Sequence, residues 1–110
     1  MGMKEIYVKD LDLGHKRRLI KKLYKVKKSK EYPIGLKFCI QYLYQRNDEW
    51  LEIVRIDNYL HQNKPGTHIH LFNKEQVKRE ELTFKEAEIR AEETAEKIIG
   101  FLEGEKNGKD

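Results

Sequence analysis

Leu36-Lys37-Phe38-Cys39-Ile40-Gln41-Tyr42-Leu43-Tyr44 is followed, after Gln45-Arg46-Asn47-Asp48-Glu49, by Trp50-Leu51-Glu52-Ile53-Val54-Arg55-Ile56-Asp57. In the first segment Leu36, Phe38, Ile40 and Tyr42 alternate with Lys37, Cys39, Gln41 and Leu43. That period of two, in a run rich in aromatic and β-branched residues, predicts a half-buried strand. In the second segment Trp50, Glu52, Val54 and Ile56 alternate with Leu51, Ile53, Arg55 and Asp57. Two such segments around a short polar turn make a β-hairpin. Strict alternation buries Leu51 and Ile53 on one face and places Arg55 and Asp57 at the end of that same face.

The hairpin sets the frame for the rest of the chain. Asn63-Lys64-Pro65-Gly66 reads as a turn, and Thr67 to Phe72 as a further strand with Ile69 and Leu71 on one face and His68, His70 and Phe72 on the other. Ile6-Tyr7-Val8 is a short β-prone run, and Leu11 to Gly14 reads as a loop. Thr83-Phe84-Lys85-Glu86 is a capping box, opening a helix with Phe84, Ala87, Ala91, Ala95, Ile98, Ile99 and Leu102 at helical spacing. Gly104 is the expected stop. The stripe predicts a helix lying on one sheet face, with Phe84, Ala91, Ala95, Ile98 and Leu102 against Ile40, Ile53 and Ile69. Between Arg18 and Lys28 the spacing of Leu19, Ile20, Leu23 and Tyr24 favours a helix over a strand.

The chain has 110 residues, room for one domain with a modest core. The expected division is a single domain over 1–103 and a polar tail over 104–110. Charged residues make up 38% and lysine, glutamate and isoleucine are abundant, a pattern common in thermophile proteins. The one cysteine, Cys39, lies in an apolar run and excludes a disulfide framework; it is expected as a buried small hydrophobe. No secretory leader and no bilayer-length apolar run is evident, so a cytoplasmic protein is expected, with no membrane partner. The net charge of +4 is uneven. Lys16, Arg17, Arg18, Lys21, Lys22, Lys25, Lys27, Lys28 and Lys30 form a run without acids, whereas acids crowd the C-terminal third. That basic run can hold nucleic acid or an acidic protein, through Lys21, Lys22, Lys25, Lys27 and Lys28. It equally suits a solvated, lysine-blunted edge strand.

Chemistry concentrates in one window. Three of the four histidines, His61, His68 and His70, lie within ten residues, just after Arg55, Asp57 and Asn58. His68 and His70, two apart in a strand, share a face, read as open to solvent. With His61 or Asp57 they offer three metal ligands, although HxH arises often by chance and no cofactor is implied. Paired imidazoles also suit metal-independent RNA cleavage, one as base and one as acid, with Arg55 stabilising the charged transition state and Asp57 orienting a ring. Each of these residues has a plain alternative: an Asx turn at Asp57-Asn58, a surface ion pair for Arg55, solvated histidines on an open face. Tyr24, Tyr42, Tyr44 and Tyr59 can stack bases, or pair across strands.

The order Arg55-x-Asp57-Asn58, a gap, Gly66, then His68-x-His70 resembles the TumE-like toxins of prokaryotic toxin–antitoxin pairs. Upstream, Leu23-Tyr24-Lys25-Val26, the loop at Pro33 and the segment from Leu36 to Tyr42 resemble the two strands that precede this motif in that family. The likeness covers about half the chain; Lys64-Pro65 and the basic run from Lys16 to Lys30 depart from it. The resemblance implies a strand over Ile20 to Lys28. The expected fold is then α+β: an antiparallel sheet of four to five strands with a long C-terminal helix packed on one face. It also implies a toxin acting on RNA and a cognate antitoxin as partner. With His61 from the histidine window, Arg55, Asp57, His68 and His70 make up the candidate catalytic cluster.

Overall fold

The computed structural model describes residues 3–60 and 66–106. It is an α+β fold: six antiparallel strands in sequential order, followed by one helix. The strands are β1 (Lys4–Gly14), β2 (Arg17–Lys25), β3 (Leu36–Arg46), β4 (Glu49–Asp57), β5 (His68–Leu71) and β6 (Lys78–Arg79); the helix α1 is Phe84–Lys106. The sheet thus has six strands rather than four to five. Two residues of β6 are too few to show any periodicity. No described helix is long and apolar enough to cross a membrane.

Local chemistry closes the hairpins. His15 and Lys16 between β1 and β2 have φ of 53° and 67°, and Asn47 and Asp48 between β3 and β4 have 54° and 63°. Consecutive positive φ values are the mark of the two-residue turn whose twist matches paired strands. Asn-Asp tolerates this conformation well; His-Lys does so less readily, so the pair is no turn signal in sequence. As a result β1 continues through Leu11 to Gly14, where a loop was expected.

Between Arg18 and Lys25 the chain is a strand, against the helical spacing of its apolar residues. Register places Arg17, Leu19, Lys21 and Leu23 beside Tyr44, Tyr42, Ile40 and Phe38, on the helix side. Two of these four are charged, which hides the alternation. Both charges are met by the helix: Arg17 forks onto Glu96 at 2.7 and 2.9 Å, and Lys21 reaches Glu88 at 3.2 Å. Their aliphatic stems cover apolar surface while their heads meet carboxylates.

A β-bulge in β4 decides which residues face the helix. Tyr42 pairs with Val54 and Leu43 with Glu52, leaving Ile53 as the extra residue. Ile53 and Val54 are therefore neighbours in sequence and both fully buried. The bulge shifts the alternation by one. Leu51 and Ile53 face the helix, but so do Val54 and Ile56, while Arg55 and Asp57 turn to the opposite face. Strict alternation had put Arg55 and Asp57 with Leu51 and Ile53.

The helix lies over β3 and β4. Its capping box forms as expected: Thr83 N donates to Glu86 Oε1 at 2.9 Å, and Glu86 N donates to Thr83 Oγ1 at 3.1 Å. Ala87, Ala91, Ala95 and Ile99 are wholly buried on Phe38, Ile40, Ile53, Val54, Ile56 and Ile69. Ile98 is only half-buried, flanking the core with Phe84 and Leu102. The helix runs on through Gly104 to Lys106, so that glycine does not end it.

The pair Arg17–Glu96, joined by the Tyr42 hydroxyl, ties β2 and β3 to the helix. The hydrogen bond from Arg17 holds the Glu96 carboxyl below its ordinary range. A depressed folded-state pKa gives stability that is present above the unfolded value and lost as pH falls through the folded one. Stability is therefore expected to fall below about pH 4.5. Glu96→Gln should flatten that decline, measured by urea unfolding at about pH 6 and about pH 3. An equally steep decline in the variant would place the acid sensitivity elsewhere.

Candidate functional site on the open sheet face

The face opposite the helix is organised in cross-strand rows. One row crosses all six strands: Val8, Lys22, Cys39, Asp57, His68 and Arg79. The next row holds Asp10, Ile20, Gln41, Arg55 and His70. Paired residues of antiparallel strands point to the same side, so both histidines share a face with Arg55 and Asp57. The i, i+2 reading of His68 and His70 thus holds for the face they occupy.

Their exposure differs. His68 is only 4% exposed, whereas His70 is half-buried and lines a pocket of about 410 Å³. The expected solvent-facing histidine pair is therefore corrected: only His70 opens onto the pocket. β6 accounts for part of this, because it adds a strand beyond His68 and sets Arg79 opposite it.

The pocket is lined by Lys22, Cys39, Gln41, Arg55, Asp57, Tyr59, Leu60 and His70. Asp57, 6% exposed, is its hub. Its Oδ1 accepts a hydrogen bond from Tyr59 N at 3.1 Å, the Asx turn foreseen as the plain alternative. Its Oδ2 lies 3.3 Å from Arg55 Nε and 3.8 Å from His70 Nε2. One oxygen therefore shapes the chain and the other faces the Arg55 guanidinium and the His70 imidazole. Arg55 also reaches Glu52 at 3.5 Å, and Glu52 accepts from Gln41 Nε2 at 2.9 Å. These contacts orient the guanidinium across the pocket wall while leaving its side chain 37% exposed.

Asn58 serves the fold. Its Oδ1 accepts from Phe38 N at 2.8 Å, its Nδ2 donates to Leu36 O at 2.8 Å, and its own N donates to Phe38 O at 3.2 Å. The amide thus extends the β3–β4 ladder past the end of β4, and it is not available to read a base. Asn58→Ala leaves a backbone N–H and a C=O without these partners. A loss of about 1–3 kcal/mol is expected. Urea unfolding of the variant checks this; a change below about 0.5 kcal/mol would mean water replaces the amide at no cost.

Cys39 is 5% exposed, as expected of a small core residue, and burial pushes its thiol up to about 12. It stays protonated near neutral pH and is not a nucleophile there. Burial also pushes the Tyr59 hydroxyl up to about 12. Gln41, Cys39 and Tyr59 were not read as members of a cluster in the sequence. The alternation of Lys37, Cys39 and Gln41 was visible, but the bulge that brings Arg55 beside Gln41 was not.

The basic run divides. Lys22 lies on the pocket, Lys21 is held by Glu88 on the other face, and Lys25, Lys27 and Lys28 are exposed near the end of β2. Tyr42 and Tyr44 face the helix, where their hydroxyls donate to Glu96 and Glu103, so they present no stacking surface. His61 lies outside the described residues. Among those described, no group of three or more His, Cys, Asp or Glu is placed to hold a metal ion.

No curated protein and no solved structure matches the chain. One family model does, described as Domain of unknown function (DUF7718), over residues 1–100. That match takes in every strand, the open-face pocket and most of the helix, and the chain belongs to the DUF7718 family.

Proposed function

We propose that this protein acts on RNA as a toxin-like member of a toxin–antitoxin pair, through the Arg55–Asp57–His70 cluster. The observation that carries the reading is the convergence of an imidazole, a guanidinium, an ammonium and a carboxylate on one open pocket: His70, Arg55, Lys22 and Asp57. Those groups suit a phosphodiester. Arg55 and Lys22 attract a phosphate and the charge that grows on it in the transition state. Imidazole gains and loses a proton near neutral pH, so His70 is the base for a 2′-hydroxyl. The freed oxygen attacks the neighbouring phosphorus, the bond to the 5′-oxygen breaks, and that oxygen takes a proton from water. A cyclic phosphate and a 5′-hydroxyl end result. Asp57 holds Arg55 and the His70 ring in place and stabilises the imidazolium that forms when His70 takes the proton. His68, buried beside Asp57 in the register, supports the cluster rather than sharing the proton transfer.

The test is expression in a host that has no cognate antitoxin, with growth and RNA integrity followed together. Growth arrest with RNA fragments ending in cyclic phosphate is the expected result. A folded, well-expressed protein that is harmless and inert toward RNA would overturn the reading. The exposed Lys25, Lys27 and Lys28 favour the second reading in that case, a noncatalytic binding module. Its binding to nucleic acid would weaken steeply with salt, as each neutralised phosphate releases counterions.

A further inference from the structure

Beside the pocket, at the end of β2 and β3, lies a cluster of tyrosines around one lysine. Tyr24 and Lys37 are cross-strand partners on the open face. Lys37 Nζ sits 4.5 Å from the Tyr59 ring centre and 6.0 Å from that of Tyr32. Tyr59 is fixed at its backbone by Asp57, and the Tyr32 hydroxyl accepts from Leu60 N at 3.1 Å. Tyr59 therefore stands on a prepared wall of the same pocket that holds Lys22, Arg55 and His70.

We propose that this face takes single-stranded RNA, with an unpaired base stacked on Tyr59 and Tyr24 while its phosphate meets Lys22 and Arg55. The inference rests on the RNA reading above and narrows its substrate. Aromatic faces interleaved with cations bind single strands, because every base offers a π-face and every nucleotide a charge. A base within a duplex is already stacked and cannot reach a ring on a pocket wall. Duplex RNA is read instead by its shape and its 2′-hydroxyls across a wide minor groove. Lys22 and Arg55 on the lining favour an occupant that carries negative charge over an apolar protein surface.

The experiment measures binding by fluorescence anisotropy to a labelled 2′-O-methyl oligoribonucleotide, which cannot be cleaved through its 2′ position. The same strand annealed to its complement, and heparin as a polyanion without bases, are compared. The single strand should bind at least about tenfold tighter than the duplex. Tyr59→Leu should weaken single-strand binding roughly 5- to 150-fold, the range for losing one stacked base, and leave heparin binding unchanged. Tyr59→Phe should restore it, since the ring remains. Circular dichroism establishes folding; if Tyr59→Leu does not fold, Tyr24→Leu carries the same expectation. Equal binding of duplex, or stacking variants that bind as the wild type does, would overturn the single-strand inference and leave the RNA reading standing. No binding of any RNA by the folded wild type would overturn both.

Discussion

His70→Ala should lower RNA cleavage by about 10²–10⁴-fold, the weight of a positioned base, with the melting temperature within a few degrees of wild type. The two histidines, alike in sequence, should then separate in experiment. His70 borders the pocket and lies 3.8 Å from Asp57, so its loss removes chemistry more than packing. His68 is 4% exposed, so His68→Ala should act first on stability, through a cavity and lost contacts. Arg55→Lys should also lose about 10-fold or more in rate, because lysine cannot reproduce a planar fork on phosphate. The measurement is single-turnover cleavage of a labelled RNA, paired with thermal unfolding of each variant. An active His70→Ala protein, or activity lost only in proportion to unfolding, would remove His70 from the mechanism.

The difference between those histidines marks how far the sequence could be read. Period-two alternation gave β3 and the common face of His68 and His70, and the Thr83–Glu86 box gave the start of the helix. Three features escaped for physical reasons. The bulge at Ile53 is a count of residues opposite Tyr42, which a single strand does not display. Without it, Arg55 and Asp57 fall on the helix face and no pocket forms. The β2 strand carries Arg17 and Lys21 toward the core, and only distant helix glutamates make sense of them: Lys21 meets Glu88 across a separation of 67 residues and Arg17 meets Glu96 across 79. Burial of His68 depends in part on β6, a strand of two residues. In each case the missing information was the partner strand or helix, and the residue itself looked ordinary.

Ile99→Ala should cost about 2–4 kcal/mol in urea unfolding, the largest expected stability loss on the helix. Ala87, Ala91, Ala95 and Ile99 recur every four residues and are each wholly buried. A stripe of alanines brings the helix backbone close to the sheet, and Ile99 is the one large side chain in that line. It therefore fills the space that the alanines leave narrow, and truncating it opens a cavity that a sheet of β-branched residues closes poorly. Ile98, the neighbour expected from helical spacing to take this place, is half-buried beside the core, so Ile98→Ala should cost under about 2 kcal/mol. The reverse change tests the same geometry. Ala91→Leu should destabilise by about 1–3 kcal/mol, since the added carbons enter a layer in which Ala91 is already wholly buried. If Ile98→Ala proves costlier than Ile99→Ala, and Ala91→Leu is tolerated, the helix does not pack on the sheet through this stripe. The expected order, with Ile99 first, follows from burial alone and does not depend on what the open face does.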